Sequence, residues 1–312
     1  ADDDHAERHR GSALPDVSPV PLLDRERLAS LLAARDRGER AWRGSLDLDR
    51  SADDIALHPD AFEWRGARWP WPDADTRFKD RTLYAALPVT AGADGVERLA
   101  WQPVQRFGGS LIKLVPTGWG PPTFEIDGIK MLPTAQVSPW DDAAAKVALV
   151  RPRGRRLLDC CGGLGYFAAH ALAGGAAQVQ SFEKNPDVVW LRRINPWSPK
   201  TDDAAWQGRF TLTEADVSQR IASLPDAHFD AALHDPPRFG IAGELYSLAF
   251  YEQLARVLRP GAPLFHYTGA PNAKTSGRDV PGEVIKRLER AGFRAERKLD
   301  GVFATRAAGG RG

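Results

Sequence analysis

Cysteine is almost absent from this 312-residue chain: there are two, Cys160 and Cys161, and they are adjacent. Neighbouring cysteines suit neither an ordinary structural disulfide nor a four-ligand zinc site. A disulfide scaffold and a zinc module are therefore excluded, no metal is expected, and a reducing, cytoplasmic setting is expected. Long apolar runs are missing too. Nowhere do about 18 apolar residues follow one another, as a membrane span requires, and residues 1–21 lack the apolar segment of a secretory leader. Charge of one sign is not in excess, since 42 basic residues face 41 acidic ones. No whole-molecule field would draw the chain to nucleic acid or an anionic membrane, although a local basic patch remains compatible.

What is present is ample apolar material, 43% of residues, beside 27% charged ones. That suffices for one full core and a second, smaller unit. Residues 1–20 and 308–312 have no periodicity and are expected to be tails. Over 21–137 an accessory or substrate domain is expected. It begins with an amphipathic helix over Leu22–Arg37 and continues in short Trp-, Phe- and β-branched segments broken by Pro, Gly and Asp, a β-rich or α+β pattern. Trp42, Trp64, Trp69, Trp71, Trp101 and Trp119 fall there, more as core or lid than as a stacking platform.

Over 138–307 the rhythm becomes strand, helix, strand, helix. Apolar strands are expected in RLLDCC, AQVQSFE, FTLTEAD, FDAALHDPP, APLFHYTG, FRAERKL and GVFATRA. Helices fit at Tyr166–Ala173, Asp187–Ile194, Ser218–Ser223, Leu245–Leu258 and Gly282–Ala291. Near-continuous apolar strands between amphipathic helices predict an α/β, Rossmann-like, doubly wound sheet covered on both faces. In such sheets a ligand lies beyond the carboxyl ends of the strands. The informative residues stand there: Asp159 with Cys161, Gly163 and Gly165 after the first strand, Glu183 after the second, Asp216 after the third, and His234-Asp235-Pro236-Pro237-Arg238-Phe239 after the fourth. Glu183 follows Asp159 by 24 residues, close to the ~20-residue offset at which an acid reaches a ribose hydroxyl. Each single acid also suits helix capping.

The acid-plus-glycine turn resembles the first motif of class I S-adenosylmethionine (SAM)-dependent methyltransferases, with cysteine at the first glycine slot. A seven-stranded sheet ending in an antiparallel hairpin follows from that resemblance. It also implies that Asp159 meets the methionine amino group, that Cys161, Gly163, Gly165 and Tyr166 line the methionine and ribose, and that Glu183 with Lys184 holds the ribose. Asp216 and Val217 would flank the adenine, and Asp235 with Pro236 would border the reacting end. S-adenosylhomocysteine would be the product. Asp-Pro-Pro-Arg resembles the Asn/Asp-Pro-Pro-Tyr/Phe element of methyltransferases acting on planar or amide nitrogens, with Arg238 in the aromatic slot. From Phe124 to Arg306, LLDCCGGLGYFAAHAL, HDPPRFGIAGELYSLAFYEQLARVLRPG and LFHYTG resemble a family of predicted methyltransferases frequent in archaea, distantly similar to spermidine synthases.

The expected activity is methyl transfer to a nitrogen or oxygen held at Asp235. His234, His266 and Tyr267 are candidate catalytic groups, and Pro237, Arg238, Phe239 and Tyr246 candidate acceptor contacts. Asp141, before the first strand, suits either cofactor contact or helix capping, and Arg278-Asp279 either a flap or a solvated loop. The acceptor is expected to be a small or medium-sized molecule, with RNA or protein as alternatives. Carbon methylation of a pyrimidine is disfavoured because no cysteine follows Cys161. Three other readings compete: aminopropyl transfer from decarboxylated SAM, a non-catalytic SAM- or RNA-binding module, and a nicotinamide oxidoreductase with a similar glycine turn.

Overall fold

The computed structural model describes residues 19–90, 97–238, 240, 242–269 and 279–308. Most of both expected tails, Phe239 and Arg278 lie outside these residues. The chain divides into two compact units, residues 1–130 with 194–196 and residues 131–193 with 197–312.

The first unit is built almost entirely from short strands. They are β1 (Leu22–Leu23), β2 (Ala41–Gly44), β3 (Asp53–Leu57), β4 (Ala61–Trp64), β5 (Ala67–Pro70), β6 (Tyr84–Thr90), β7 (Glu97–Pro103), β8 (Gln105–Phe107), β9 (Leu111–Val115), β10 (Thr123–Ile126) and β11 (Ile129–Lys130). They pair into antiparallel sheets of order β1-β6-β7, β2-β3-β4-β5 and β11-β10-β9-β8. One expectation is corrected. The helix α1 spans Arg25–Asp36, and Leu22 and Leu23 belong to β1 instead. The cause is Asp24, whose extended backbone and side-chain oxygen, 2.7 Å from the Arg27 amide, cap the helix and stop it extending backward. Trp64, Trp69 and Trp101 are buried, and Trp64 Nε1 and Trp101 Nε1 donate to Asp53 Oδ2 and the Pro70 carbonyl at 2.8 Å each. All three indoles fill the core of the unit, and Trp64 and Trp101 satisfy their only donor there.

In the second unit α2 (Pro139–Val150) precedes β12 (Arg156–Asp159), α3 (Tyr166–Ala173), β13 (Gln178–Glu183), α4 (Pro186–Ile194), β14 (Phe210–Glu214), α5 (Val217–Arg220), β15 (Ala231–His234), α6 (Leu248–Val257), β16 (Pro263–Tyr267), α7 (Val280–Arg290), β17 (Phe293–Lys298) and β18 (Gly301–Arg306). The sheet order is β14-β13-β12-β15-β16-β18-β17. The first five strands run parallel, and β18 is antiparallel to both β16 and β17. This is the expected Rossmann-like methyltransferase sheet, closed by its hairpin around Asp300. All four residues of β15 and three of the four in β12 are buried, as strands covered on both faces require. No helix among the described residues is long and apolar enough to cross a membrane.

The order fixes where a ligand can enter. From β12 the chain winds outward through β13 and β14, then returns to place β15 on the other side of β12. The turns after β12 and β15 therefore diverge at the switch point, side by side, with the Cys160 amide donating to the Leu233 carbonyl at 2.9 Å. Over this edge stands α2. Its cap is reciprocal: Ser138 Oγ accepts from the Asp141 amide at 2.9 Å and donates to Asp141 Oδ2 at 2.7 Å. Of the two roles open to Asp141, capping is the one its geometry fills. Ser138→Ala is expected to cost about 1 kcal/mol of stability, measured by chemical denaturation; an unchanged midpoint would remove the cap from the account of α2.

Candidate active site

The turn after β12 is held by backbone bonds that only a tight approach permits. The Gly162 amide donates to the Phe182 carbonyl at 2.7 Å, and the Gly165 amide to the Gly162 carbonyl at 2.7 Å. Gly165 then starts α3 in the left-handed region, with φ 84°, where a side chain is strained. Glu183 secures the turn from the next strand. One carboxylate oxygen accepts from the Gly163 amide and the other from the Asn185 amide, both at 2.9 Å. Burial pushes its carboxyl above the usual range, partly offset by these amides and by Arg192.

Beneath the turn, Asp159 is fully buried. Its Oδ2 accepts from Ser181 Oγ at 2.7 Å, while Oδ1 has no hydrogen-bond partner. Burial pushes the carboxyl up to about 6, against the opposing pull of Ser181 and Arg192.

A cleft opens to solvent above the turn. Cys161, Gly163, Gly165, Tyr166 and Asp235 all line it, so five expected site residues from two turns meet in one space. Asp142 and Ala143 from α2 close another wall. Both thiols are pushed well above their ordinary range by burial, so neither is poised as a nucleophile.

Asp235 is the most perturbed acid at the cleft. Burial raises it to about 7 despite the pull of Lys146, and Asp142, Asp300 and Asp159 push the same way as burial. Lys146 itself is 2% exposed, with Nζ 2.6 Å from Asp142 Oδ2, 2.9 Å from Asp300 Oδ2 and 4.6 Å from the centre of the Tyr267 ring. Burial works against its charge, but Asp235, Asp142 and Asp300 together hold its pKa above the ordinary value. Three carboxylates thus surround one ammonium, leaving this end of the cleft net negative once all are charged. Sequence reasoning missed Asp142, Lys146 and Asp300 as a group. The i,i+4 spacing of Asp142 and Lys146 on α2 was the available signal, whereas Asp300 joins only through the β17–β18 hairpin.

The two histidines depart from expectation. His234 is wholly buried, its Nε2 bonds the Leu245 carbonyl at 3.0 Å, and burial lowers its pKa to about 4. His266 is also wholly buried. Its Nδ1 donates to the Tyr267 carbonyl at 2.7 Å and its Nε2 accepts from Tyr251 Oη at 2.8 Å. The rings lie 4.5 Å apart in the core. A general base must reach its proton and hold one near neutral pH; these buried, neutral imidazoles do neither, and packing is the role their surroundings define.

The remaining expected residues lie further out. Asp216 Oδ1 caps α5, accepting from the Ser218 amide at 2.9 Å, and Lys184 Nζ stands 3.5 Å from its Oδ2. Val217 and Pro236 are buried and Arg238 is exposed. Tyr246 is buried and donates to the Pro237 carbonyl at 3.1 Å, bracing the Asp-Pro-Pro turn from behind. Tyr267, its hydroxyl pushed upward by burial and by Asp235, borders the Lys146 cluster. Asp279 caps α7 through the Gly282 amide at 3.2 Å.

Comparison with known proteins bears on the fold of this arrangement. No protein-family model matches the chain. Uncharacterized protein MJ1233 of Methanocaldococcus jannaschii is 44% identical over 182 residues, covering 58% of this chain and 61% of that protein. Polyamine aminopropyltransferase 2 of Streptomyces coelicolor is 26% identical over 219 residues, 69% of this chain and 35% of that protein. The chain thus spans less than two thirds of either relative. A crystal structure of spermidine synthase with the transition-state analogue AdoDATO superposes with a TM-score of 0.51 at 15% identity, covering 65% of this chain and 73% of that one. At that identity the likeness establishes the fold that spermidine synthase shares with class I methyltransferases.

Proposed function

We propose that the second unit binds SAM in the cleft over Asp159 and transfers its methyl group to a nitrogen or oxygen held at Asp235. The observation that carries this reading is the convergence of the Asp159 and Asp235 turns on one cleft at the switch point of the sheet. The residues fit the group. A fully buried carboxylate oxygen without a donor, Asp159 Oδ1, lies under the glycine turn and suits an ammonium. When bound, SAM supplies an electrophilic methyl on a sulfonium.

The chain's own part is alignment and proton transfer. The Asp235 carboxylate accepts from the acceptor's N–H or O–H and turns its lone pair toward the cleft. With a pKa near 7, it can take that proton at neutral pH. The net negative surroundings of Lys146 favour an amine, which arrives as a cation, over an anionic acceptor. Burial of the turn excludes water that would compete for the methyl group.

Aminopropyl transfer from decarboxylated SAM is the second reading, favoured by the similarity to the polyamine aminopropyltransferase. Calorimetric titration with SAM, S-adenosylhomocysteine and decarboxylated SAM separates the two. Methyl transfer predicts preference for the two carboxylate-bearing ligands and a loss of at least about tenfold, ~1.4 kcal/mol, in Asp159→Ala. Preference for decarboxylated SAM would move the assignment to aminopropyl transfer, and no binding by any of the three would end both readings.

A further inference from the structure

The cofactor turn rests on a buried cation. On α4, Arg193 is exposed but Arg192 is 2% exposed, and none of its three guanidinium nitrogens has a hydrogen-bond partner. Burying a guanidinium without such bonds is costly unless nearby charge compensates it. The compensation lies directly overhead. A Cβ placed on Gly162 would meet Arg192 Nη1 at 2.8 Å and Asp159 Oδ2 at 3.3 Å, and one on Gly165 would overlap Arg192 Nη2. Those glycines are therefore required from below, by the guanidinium, as well as by any ligand above. Asp159 and Glu183 are the two charges that favour the cationic form of Arg192.

We propose that Arg192 is a positioning residue for the cofactor site: from beneath the glycine turn its charge keeps the Asp159 carboxylate ionised to receive the ammonium of a SAM-type ligand. The inference rests on the proposed SAM reading, but its electrostatic half does not. Around Asp159 stand Ser181 and Glu183 from β13, Arg192 from α4, Cys160 and Cys161 from the turn, and Asp235 beyond β15. Of these, Arg192 is the cation that opposes burial. A guanidinium is the side chain for this place because it stays charged when desolvated, where an ammonium readily gives up its proton.

The test is a carboxyl-carbon NMR titration of Asp159 in ligand-free protein, assigned through Asp159→Asn, with calorimetry of SAM binding alongside. Arg192→Met is expected to raise the Asp159 midpoint from about 6 by about two pH units, and so to weaken SAM binding about tenfold at pH 7, with recovery toward pH 8.5. Arg192→Lys is expected to restore part of both. A folded Arg192→Met protein with an unmoved Asp159 midpoint would overturn the proposal. If that variant does not fold, the Arg192 Nε signal decides: a shift between wild type and Asp159→Asn supports the coupling, and an unchanged signal overturns it. Wild-type protein that fails to bind SAM would end the functional reading while the titration still decides whether Arg192 controls Asp159.

Discussion

Asp235→Asn is expected to bind SAM within a few-fold of wild type yet to turn over about 10²–10⁴ times more slowly, the range for removing a general base. The amide keeps the shape of the strand end and one acceptor oxygen, so orientation survives in part while proton uptake is lost. Two features make Asp235 the place where this loss falls. It shares the cleft with the glycine turn, and burial together with Asp142, Asp300 and Asp159 outweighs Lys146 to hold its carboxyl near 7. The pH dependence carries a sign. Wild-type kcat/KM should rise about tenfold per unit below pH 7 and level off above it, as the carboxyl loses its proton, and Asp235→Asn should lack that rise. The measurement is S-adenosylhomocysteine release with a panel of primary and secondary amines from pH 5.5 to 9. Unchanged turnover in the variant at pH 8 would remove Asp235 from the chemistry.

How much of this was legible beforehand follows the range of the interactions involved. Residues that announce themselves through neighbours in the chain were readable. The helix Tyr166–Ala173 occupies the expected residues, and the strand ends carrying Asp159, Glu183 and Asp235 lie at the carboxyl edge of a parallel sheet. Apolar runs, glycine turns and strand-helix alternation are local patterns with local causes. Burial state was less readable, because it depends on what packs against a residue. His234 and His266 end neighbouring strands just where general bases would stand, but α6 and the preceding turn cover them with Phe250, Tyr251 and Leu245. Arg192 looked like one basic residue in an Arg-Arg pair on a helix. Only the approach of α4 to the glycine turn distinguishes it from the exposed Arg193. Asp300 stands in the tight turn between β17 and β18, and its role beside Lys146 appears only when β18 pairs with β16 and brings that hairpin to α2.

That hairpin leads to the largest expected effect on stability. Lys146→Met should cost about 3–5 kcal/mol at pH 8, because it removes the one ammonium from among Asp142, Asp300 and Asp235 and leaves buried charge without a partner. Methionine is chosen because it fills a similar volume and still packs near the Tyr267 ring, so the loss reports charge more than a cavity. The pH dependence separates the two causes. Lys146 has a raised pKa in the folded protein, so it stays charged throughout the range from 5 to 8 and any pH dependence there comes from its acidic partners. Asp235 and Asp142 have raised pKa values, so the folded state already holds protons more tightly there than the unfolded chain does. Between their unfolded values near 4 and Asp235's folded value near 7, they make stability fall as pH rises. Without Lys146 both carboxyls rise further and that fall steepens. Urea denaturation at pH 5, 6.5 and 8 should therefore show the variant approaching wild type at pH 5, where the orphaned carboxyls can take up protons. A deficit of the same size at all three values would mean that Lys146 acts by packing, and that the acids around Asp235 are not coupled through it.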